Sequence, residues 1–190
     1  MKLHYKGKYD LNPESIPTKP HRPNYVKFKE PEDPKKLSSI VTMIAIPLLM
    51  LFGIPLFLIG NITYTEIAIG LVLFLLSAFP HEMLHAICFK EDVYLFTNLK
   101  HGMLFVVGPE DMSKGRFIFM SILPTIVFGL IPYSIFLFYP NLLILGVFGT
   151  VSIAAGSGDY LNIFNAITQM PKGSKTYLYQ FNSYWYMPEK

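Results

Sequence analysis

The chain alternates between four long apolar stretches and polar segments that carry most of its charged residues. The apolar stretches run approximately from Ser39 to Ile59, Ile67 to Phe89, Phe117 to Tyr139 and Leu142 to Ile167. Each has at least the roughly 20 residues that a helix needs to cross a bilayer. This pattern predicts an all-α polytopic membrane protein with about four transmembrane helices.

Two polar segments have the composition of β-strands. The segment from Val93 to Val107 is rich in Tyr, Phe, Leu and Val, and Lys100-His101-Gly102 within it is a turn signal. It predicts a short cytoplasmic β-hairpin between the second and third spans. The aromatic segment from Thr176 to Tyr186 is also strand-like, and we expect it to anchor the tail at the membrane interface. The alternative is an edge strand near the functional site that aligns or blocks a substrate peptide.

Composition agrees with a membrane protein and excludes other classes. Hydrophobic residues make up 52% of the chain and charged residues only 15%, which is unlike a soluble domain. The single cysteine, Cys88, excludes an internal disulfide framework. No basic patch with interleaved aromatic residues suggests nucleic acid. A long polar segment precedes the first apolar run, which is not the arrangement of a cleavable signal peptide. We therefore expect the first span to remain in the mature protein as a membrane helix.

Lysine and arginine are unevenly distributed along the chain. Nine precede the first span, none lies between the first and second, four lie between the second and third, none between the third and fourth, and three follow the fourth. Positive residues favour the cytoplasmic side, so this alternation predicts that both termini are cytoplasmic. The predicted organisation is a flexible, basic cytoplasmic arm (1–37), a four-helix membrane domain with the functional site (38–170) and a cytoplasmic tail (171–190).

The second apolar stretch contains an H-E-x-x-H pattern, His81-Glu82-Met83-Leu84-His85. Residues four apart on a helix share a face, so both imidazoles can bind one metal ion, and Glu82 is placed to take a proton from a metal-activated water. Ionisable groups at membrane depth cost on the order of 2–3 kcal/mol each, and a zinc ion would explain their presence. The alternatives are a polar cluster satisfied by neighbouring helices and a decayed site without metal.

Asp159 is the only other acidic residue within an apolar stretch. Asp159 and His85 each lie about 27–28 Å from the outer end of their span, at 1.5 Å per helical residue. Because both spans run inward, their polar groups reach the same level, towards the cytoplasmic face. We therefore predict a zinc site with His81, His85 and Asp159 as ligands and water in the fourth position. The alternative is that Asp159 forms hydrogen bonds with Asn162, Asn165 or Ser157.

Other polar residues are weaker candidates for the site. Cys88 shares the face of the two histidines and could ligate or shield the metal, although a lone buried cysteine usually behaves as a small hydrophobe. Pro80 removes a helix hydrogen bond, and a kink there could admit water or a peptide. His101 is expected at the surface of the inner loop, and His4 and His21 are expected to be solvated in the polar arm.

Three motifs resemble those of a family of small bacterial membrane proteins classed as putative zincin peptidases, a domain family of unknown function. They are Pro80-His81-Glu82-Met83-Leu84-His85, Ser121-Ile122-Leu123-Pro124 and Gly158-Asp159. The arrangement also resembles the core of the site-2 intramembrane metalloproteases, in which a His-Glu-x-x-His helix and an aspartate on a later helix hold zinc. The resemblance implies that His81, His85 and Asp159 are ligands, that Glu82 is the catalytic acid/base, and that the protein lies in the bacterial cell membrane.

The leading functional hypothesis is an integral-membrane zinc metalloprotease that acts on a peptide or membrane-protein substrate, in or next to the membrane. Asn162 and Asn165 are candidate oxyanion donors, although asparagines in membrane helices more often bond to a neighbouring helix. A second hypothesis is a non-proteolytic metal carrier or sensor. A carrier should have polar residues at several depths, whereas here they gather at one level. A third is a structural membrane protein with a relic motif.

Overall fold

The computed structural model describes residues 1–31, 33–59 and 61–189, and long helices dominate it. Lys190, one of the three cations predicted to follow the last span, lies outside the described residues, as do Glu32 and Gly60. The helices are α1 (Pro34–Ile59), α2 (Tyr64–Ala86), α3 (Lys114–Pro124), α4 (Ile131–Phe138), α5 (Leu143–Ala155) and α6 (Ser157–Gln169). A π-helix, Thr125–Leu130, joins α3 to α4.

Within the described residues, three helical segments are long and apolar enough to cross a membrane. They are Lys35–Ile59, Tyr64–Ala86 and Lys114–Phe138. The last one runs from α3 through the π-helix into α4. α5 and α6 break at Gly156 and differ in direction by 46°, and they form a fourth candidate if the bent pair is one span. These helices agree with the predicted membrane protein, whereas the count of four spans depends on the bent pair.

Among the residues that the structure describes, the polar segments form two small sheets, so the prediction of an all-α protein is not confirmed. The strands are β1 (Leu3–Lys8), β2 (Val26–Lys27), β3 (Val93–Asn98), β4 (Met103–Val107), β5 (Met112–Ser113), β6 (Lys175–Tyr179) and β7 (Asn182–Tyr186). The strand order is β1-β3-β4 in one sheet and β2-β7-β6-β5 in the other. The predicted hairpin is confirmed, because β3 and β4 are antiparallel neighbours with Leu95 opposite Val106.

The N-terminal arm, expected to be flexible, contributes a strand to each sheet. Strand β1 pairs in parallel with β3, and β2 pairs antiparallel with β7. The tail forms the β6–β7 hairpin, and each of these strands has a neighbour on both sides. The alternative reading of the tail as an edge strand is therefore wrong. Its anchoring at the membrane interface stays a prediction.

The part of the chain that the structure describes forms two compact units, and the three-part organisation expected from the sequence stays a prediction. One comprises Met1–Glu30, Glu82–Ser121 and Asn162–Lys190, and the other Pro31–His81 and Ile122–Leu161. The first unit contains both sheets, and one of its cores is formed by Tyr9, Ile16, Phe96 and Val107. The second unit is helical, with a core of Leu56, Tyr133, Phe136, Leu143, Val147 and Ile153.

Close backbone packing sets the position of α5 within the helical unit. A Cβ at Gly149 would lie 2.7 Å from the Tyr133 nitrogen and 2.8 Å from the Gly129 oxygen. Only glycine permits this approach, because backbone atoms on both sides cannot move away. On α5 as well, the Thr150 hydroxyl donates to the Phe52 carbonyl of α1 at 3.1 Å. Helix α5 is thus fixed by its neighbours just before the break that begins α6.

Candidate metal centre

Both histidines of the motif lie near the end of α2, which continues as one helix through Pro80. They are four residues apart, so their side chains project from the same face, one turn from each other. The division into two units falls between His81 and Glu82, inside this helix. Because the helix is continuous, it sets the distance between His81 and His85.

Asp159 lies in the first turn of α6, just after the break at Gly156. Its Oδ2 atom is 3.6 Å from Nε2 of His81, and the two side chains are 15% and 28% exposed. Among the alternative partners, the Ser157 hydroxyl donates to a backbone carbonyl of α5 at 2.6 Å. The Asn165 Oδ1 atom accepts from Gln169 at 3.0 Å. Asp159 thus lies beside one of the predicted ligand residues.

The three predicted ligand residues come together in the structure. His81, His85 and Asp159 each offer one ligand atom, and these atoms all lie within 4.8 Å of one another. Two imidazole nitrogens and one carboxylate oxygen are the type of donor set that binds zinc in catalytic sites and keeps a fourth position open. The residues present therefore fit a zinc ion.

The orientation of His85 is set by a backbone carbonyl of α3. Its Nδ1 atom lies 3.0 Å from the Met120 oxygen, and the residue is 9% exposed. A carbonyl oxygen only accepts hydrogen bonds, so Nδ1 must carry the hydrogen. In the neutral ring, the lone pair is then on Nε2. Metal-binding histidines commonly donate their other ring N–H in this way, and this contact was not predicted from the sequence.

Glu82 is held by the predicted hairpin. Its Oε2 atom accepts a hydrogen bond of 2.9 Å from the backbone N–H of Val106, in β4. Within the described residues, β4 pairs only with β3 and forms one edge of its sheet. The Val106 N–H therefore points away from β3, and the outer edge of β4 runs beside the carboxylate. The sequence predicted the hairpin but gave no signal for this contact.

The weaker candidates lie apart from these three ligand residues or have other partners. The Cys88 thiol donates to a backbone carbonyl one turn earlier in α2, at 3.4 Å. His101 is exposed in the hairpin turn, as expected. His4 pairs with Asp92 at 2.9 Å beside the first sheet. His21 is stacked between two tyrosine rings whose centroids are 4.1 and 4.0 Å away, so the expectation that it is solvated is wrong.

The long apolar helices are consistent with a membrane protein, and this donor set with its adjacent glutamate is of the type found in zinc metallopeptidases. Residues 74–175 match the model of the DUF3267 family, whose description is "Putative zincin peptidase". The match spans more than half of the chain, so the protein belongs to this family. The matched residues include the H-E-x-x-H motif, the β3–β4 hairpin and Asp159. No curated protein and no solved structure matches the chain.

Proposed function

We propose that the protein is an integral-membrane zinc metalloprotease that hydrolyses peptide bonds in or next to the membrane. The observation that carries the proposal is the cluster of His81, His85 and Asp159, whose ligand atoms lie within 4.8 Å of one another. Glu82 follows the first of these residues directly. Membership of a family described as zincin peptidases supports the same reaction class.

The residues of the site have separate roles in peptide hydrolysis. Zinc, when bound, would polarise the scissile carbonyl and lower the pKa of a water molecule. His81, His85 and Asp159 would hold the ion. Glu82 accepts the proton of the attacking water and passes it to the leaving amine. The Glu82 carboxylate accepts from the Val106 N–H, and this contact orients it.

The substrate would bind as an extended peptide. A helix hides its backbone, so a membrane-spanning substrate must unwind before its peptide bond can be attacked. The outer edge of β4 lies beside Glu82, and an extended segment could add to that edge by main-chain hydrogen bonds. Such pairing would present a peptide carbonyl next to the proposed base. This arrangement favours cleavage close to the side of the membrane where the sheets lie.

We further propose four spans with both termini cytoplasmic. Strands of the N-terminal arm pair with the hairpin and with the tail, so all three segments must lie on one side of a bilayer. The arm, the stretch from Lys90 to Arg116 that contains the hairpin, and the tail together hold all 16 lysines and arginines, which favours the cytoplasm. Helices α1 and α2 supply two crossings. An even number must also follow the hairpin, which supports one crossing by the bent α5–α6 pair.

The decisive experiment compares the wild type with Glu82→Gln. Zinc content of the purified protein is measured, and new protein N-termini are mapped in membranes of cells that express each form. We expect Glu82→Gln to retain zinc and to lose cleavage by about 100-fold or more, because the general base is absent. Glu66→Gln, on the same helix but 16 residues earlier, is the control and should keep both properties. Equal cleavage by Glu82→Gln and wild type would refute the protease assignment.

A further inference from the structure

The carbonyl that orients His85 has no helix N–H donor four residues later, because a proline of α3 occupies that position. Pro124 has no N–H to donate to the carbonyl four residues earlier, which belongs to Met120. The Met120 oxygen accepts instead from Nδ1 of His85, at 3.0 Å. Pro124 itself is fully buried. A backbone acceptor that would ordinarily serve the helix therefore serves the ring of a proposed zinc ligand.

We propose that Pro124 is a positioning residue for the metal centre. By withholding a helix hydrogen bond, it makes the Met120 carbonyl available to His85 and selects the tautomer with the hydrogen on Nδ1. The lone pair of the ring is then on Nε2, the atom that would bind the ion. The inference rests on the proposed function only in requiring that His85 is a metal ligand.

The burial of His85 makes this acceptor important. The residue is 9% exposed, so an Nδ1–H without an acceptor would be left in a poorly hydrated place, which is unfavourable. The ring could avoid that cost by moving its hydrogen to Nε2, which would remove the lone pair from the proposed ligand atom. A carbonyl that also accepts from a helix N–H is directed along the helix axis, and its bond to the ring would be weaker.

The two prolines of α1 lie in more exposed surroundings than Pro124. Pro47 and Pro55 both lie in α1. The residues four positions before them, Met43 and Leu51, are 73% and 63% exposed. These positions therefore lie on an exposed, apolar face, whereas Pro124 is buried and the carbonyl four residues before it faces an imidazole. Pro55 thus provides a matched control for the effect of removing a proline from a membrane helix.

The first test compares Pro124→Ala with Pro55→Ala. Zinc affinity of the purified proteins in detergent is measured by competition with a chromogenic chelator, and unfolding temperature is measured without metal. We expect Pro124→Ala to bind zinc about 10–100-fold more weakly, as is typical when the partner of a ligating histidine is lost. Pro55→Ala should bind like the wild type. Wild-type affinity in Pro124→Ala would overturn the inference.

The second test needs no variant that might alter folding of α3. NMR of metal-free wild-type protein with ¹⁵N-labelled histidine reports which ring nitrogen is protonated, and His85→Gln identifies the signals of residue 85. We expect His85 to carry its hydrogen on Nδ1 and to bind zinc through Nε2. A predominant Nε2–H form, or zinc bound through Nδ1, would overturn the inference.

The two proposals fail in different ways. A wild-type protein that binds zinc and shows Nδ1–H at His85, but produces no new N-termini, would refute the protease and leave the role of Pro124 intact. An active zinc protease whose Pro124→Ala form binds zinc normally would refute the role of Pro124 alone.

Discussion

The carboxylate of Asp159 determines whether the histidines of α2 belong to a complete three-ligand set. Its Oδ2 lies 3.6 Å from Nε2 of His81, and it adds the only carboxylate to a donor set that otherwise consists of two imidazoles. We expect Asp159→Asn to weaken zinc binding by more than the roughly 10–100-fold seen when a supporting partner is removed, because a direct ligand is lost. Chelator competition measures the change. Glu66→Gln should bind normally, and unchanged affinity in Asp159→Asn would show that Asp159 is not a ligand.

Glu110 illustrates a second residue-scale effect, on stability. It is 6% exposed and accepts hydrogen bonds from the backbone N–H groups of Lys90 at 2.5 Å and Glu91 at 3.0 Å. It also pairs with Arg116 of α3. Burial raises the pKa of this carboxyl, but the hydrogen bonds and the guanidinium outweigh burial and lower the pKa below 4.5. The carboxylate therefore links the segment after α2 to the start of α3.

The lowered pKa of Glu110 gives stability a definite pH dependence. Because the folded pKa is below the unfolded value, the stabilisation is complete above about pH 4.5 and is lost as pH falls through the folded pKa. We expect Glu110→Gln to lower the free energy of unfolding at neutral pH by about 1–3 kcal/mol and to flatten this acid dependence. Denaturant unfolding between pH 3 and 7 tests it. Glu14→Gln, at an exposed glutamate, is the control, and an unchanged acid limb in Glu110→Gln would contradict the prediction.

At the scale of elements, the packing of α5 requires glycine at position 149, and this requirement can be tested. A methyl group at Gly149 would overlap backbone atoms of Tyr133 and Gly129, at 2.7 and 2.8 Å. We expect Gly149→Ala to destabilise the protein by about 1–3 kcal/mol, the usual cost of overpacking. Gly53→Ala is the matched control, because a Cβ at Gly53 of α1 has no atom within 4 Å. Thermal unfolding in detergent compares them, and equal unfolding temperatures would show that α5 can shift.

Elements with strong local signals were predictable from the sequence. The long apolar runs gave α1, α2 and the α3–α4 segment, and the aromatic composition with its turn gave the β3–β4 hairpin. The two-residue strands β2 and β5 were not predictable, because a strand that short exists only where a distant strand supplies its hydrogen bonds. For the same reason the arm was expected to be flexible, although β1 pairs with β3 far along the chain.

In the candidate site too, features that depend on nearby residues were predictable, and contacts between distant segments were not. The four-residue spacing on one helix gave His81 and His85, and depth along a later span gave Asp159. The contacts that orient the motif, from Val106 to Glu82 and from His85 to Met120, join segments more than 20 residues apart. Helical periodicity contains no such information. Pro124 belongs to a motif that the sequence analysis identified, but its link to His85 requires knowing which residues of α3 face α2.

At the scale of the whole molecule, strand pairing constrains the membrane topology more tightly than charge does. A charge bias can be offset by other signals, whereas a strand cannot form hydrogen bonds with a partner across a bilayer. The pairing of β1 with β3 and of β2 with β7 unites the arm, the hairpin and the tail. If the α3–α4 segment crosses once, the α5–α6 pair must also cross once for the tail to return to the same side.

Cysteine labelling tests this topology in intact cells. In a Cys88→Ser background, single cysteines replace Asn61 between α1 and α2, Lys100 in the hairpin turn and Lys172 after α6, all of which are exposed positions. We expect a membrane-impermeant thiol reagent to label position 61 from outside, and to label positions 100 and 172 only after the membrane is opened. Labelling of position 172 from outside, with position 100 protected, would mean that α5–α6 does not cross as a single span. It would also be incompatible with the sheet that joins β7 to β2, because the arm and the tail would then lie on opposite sides.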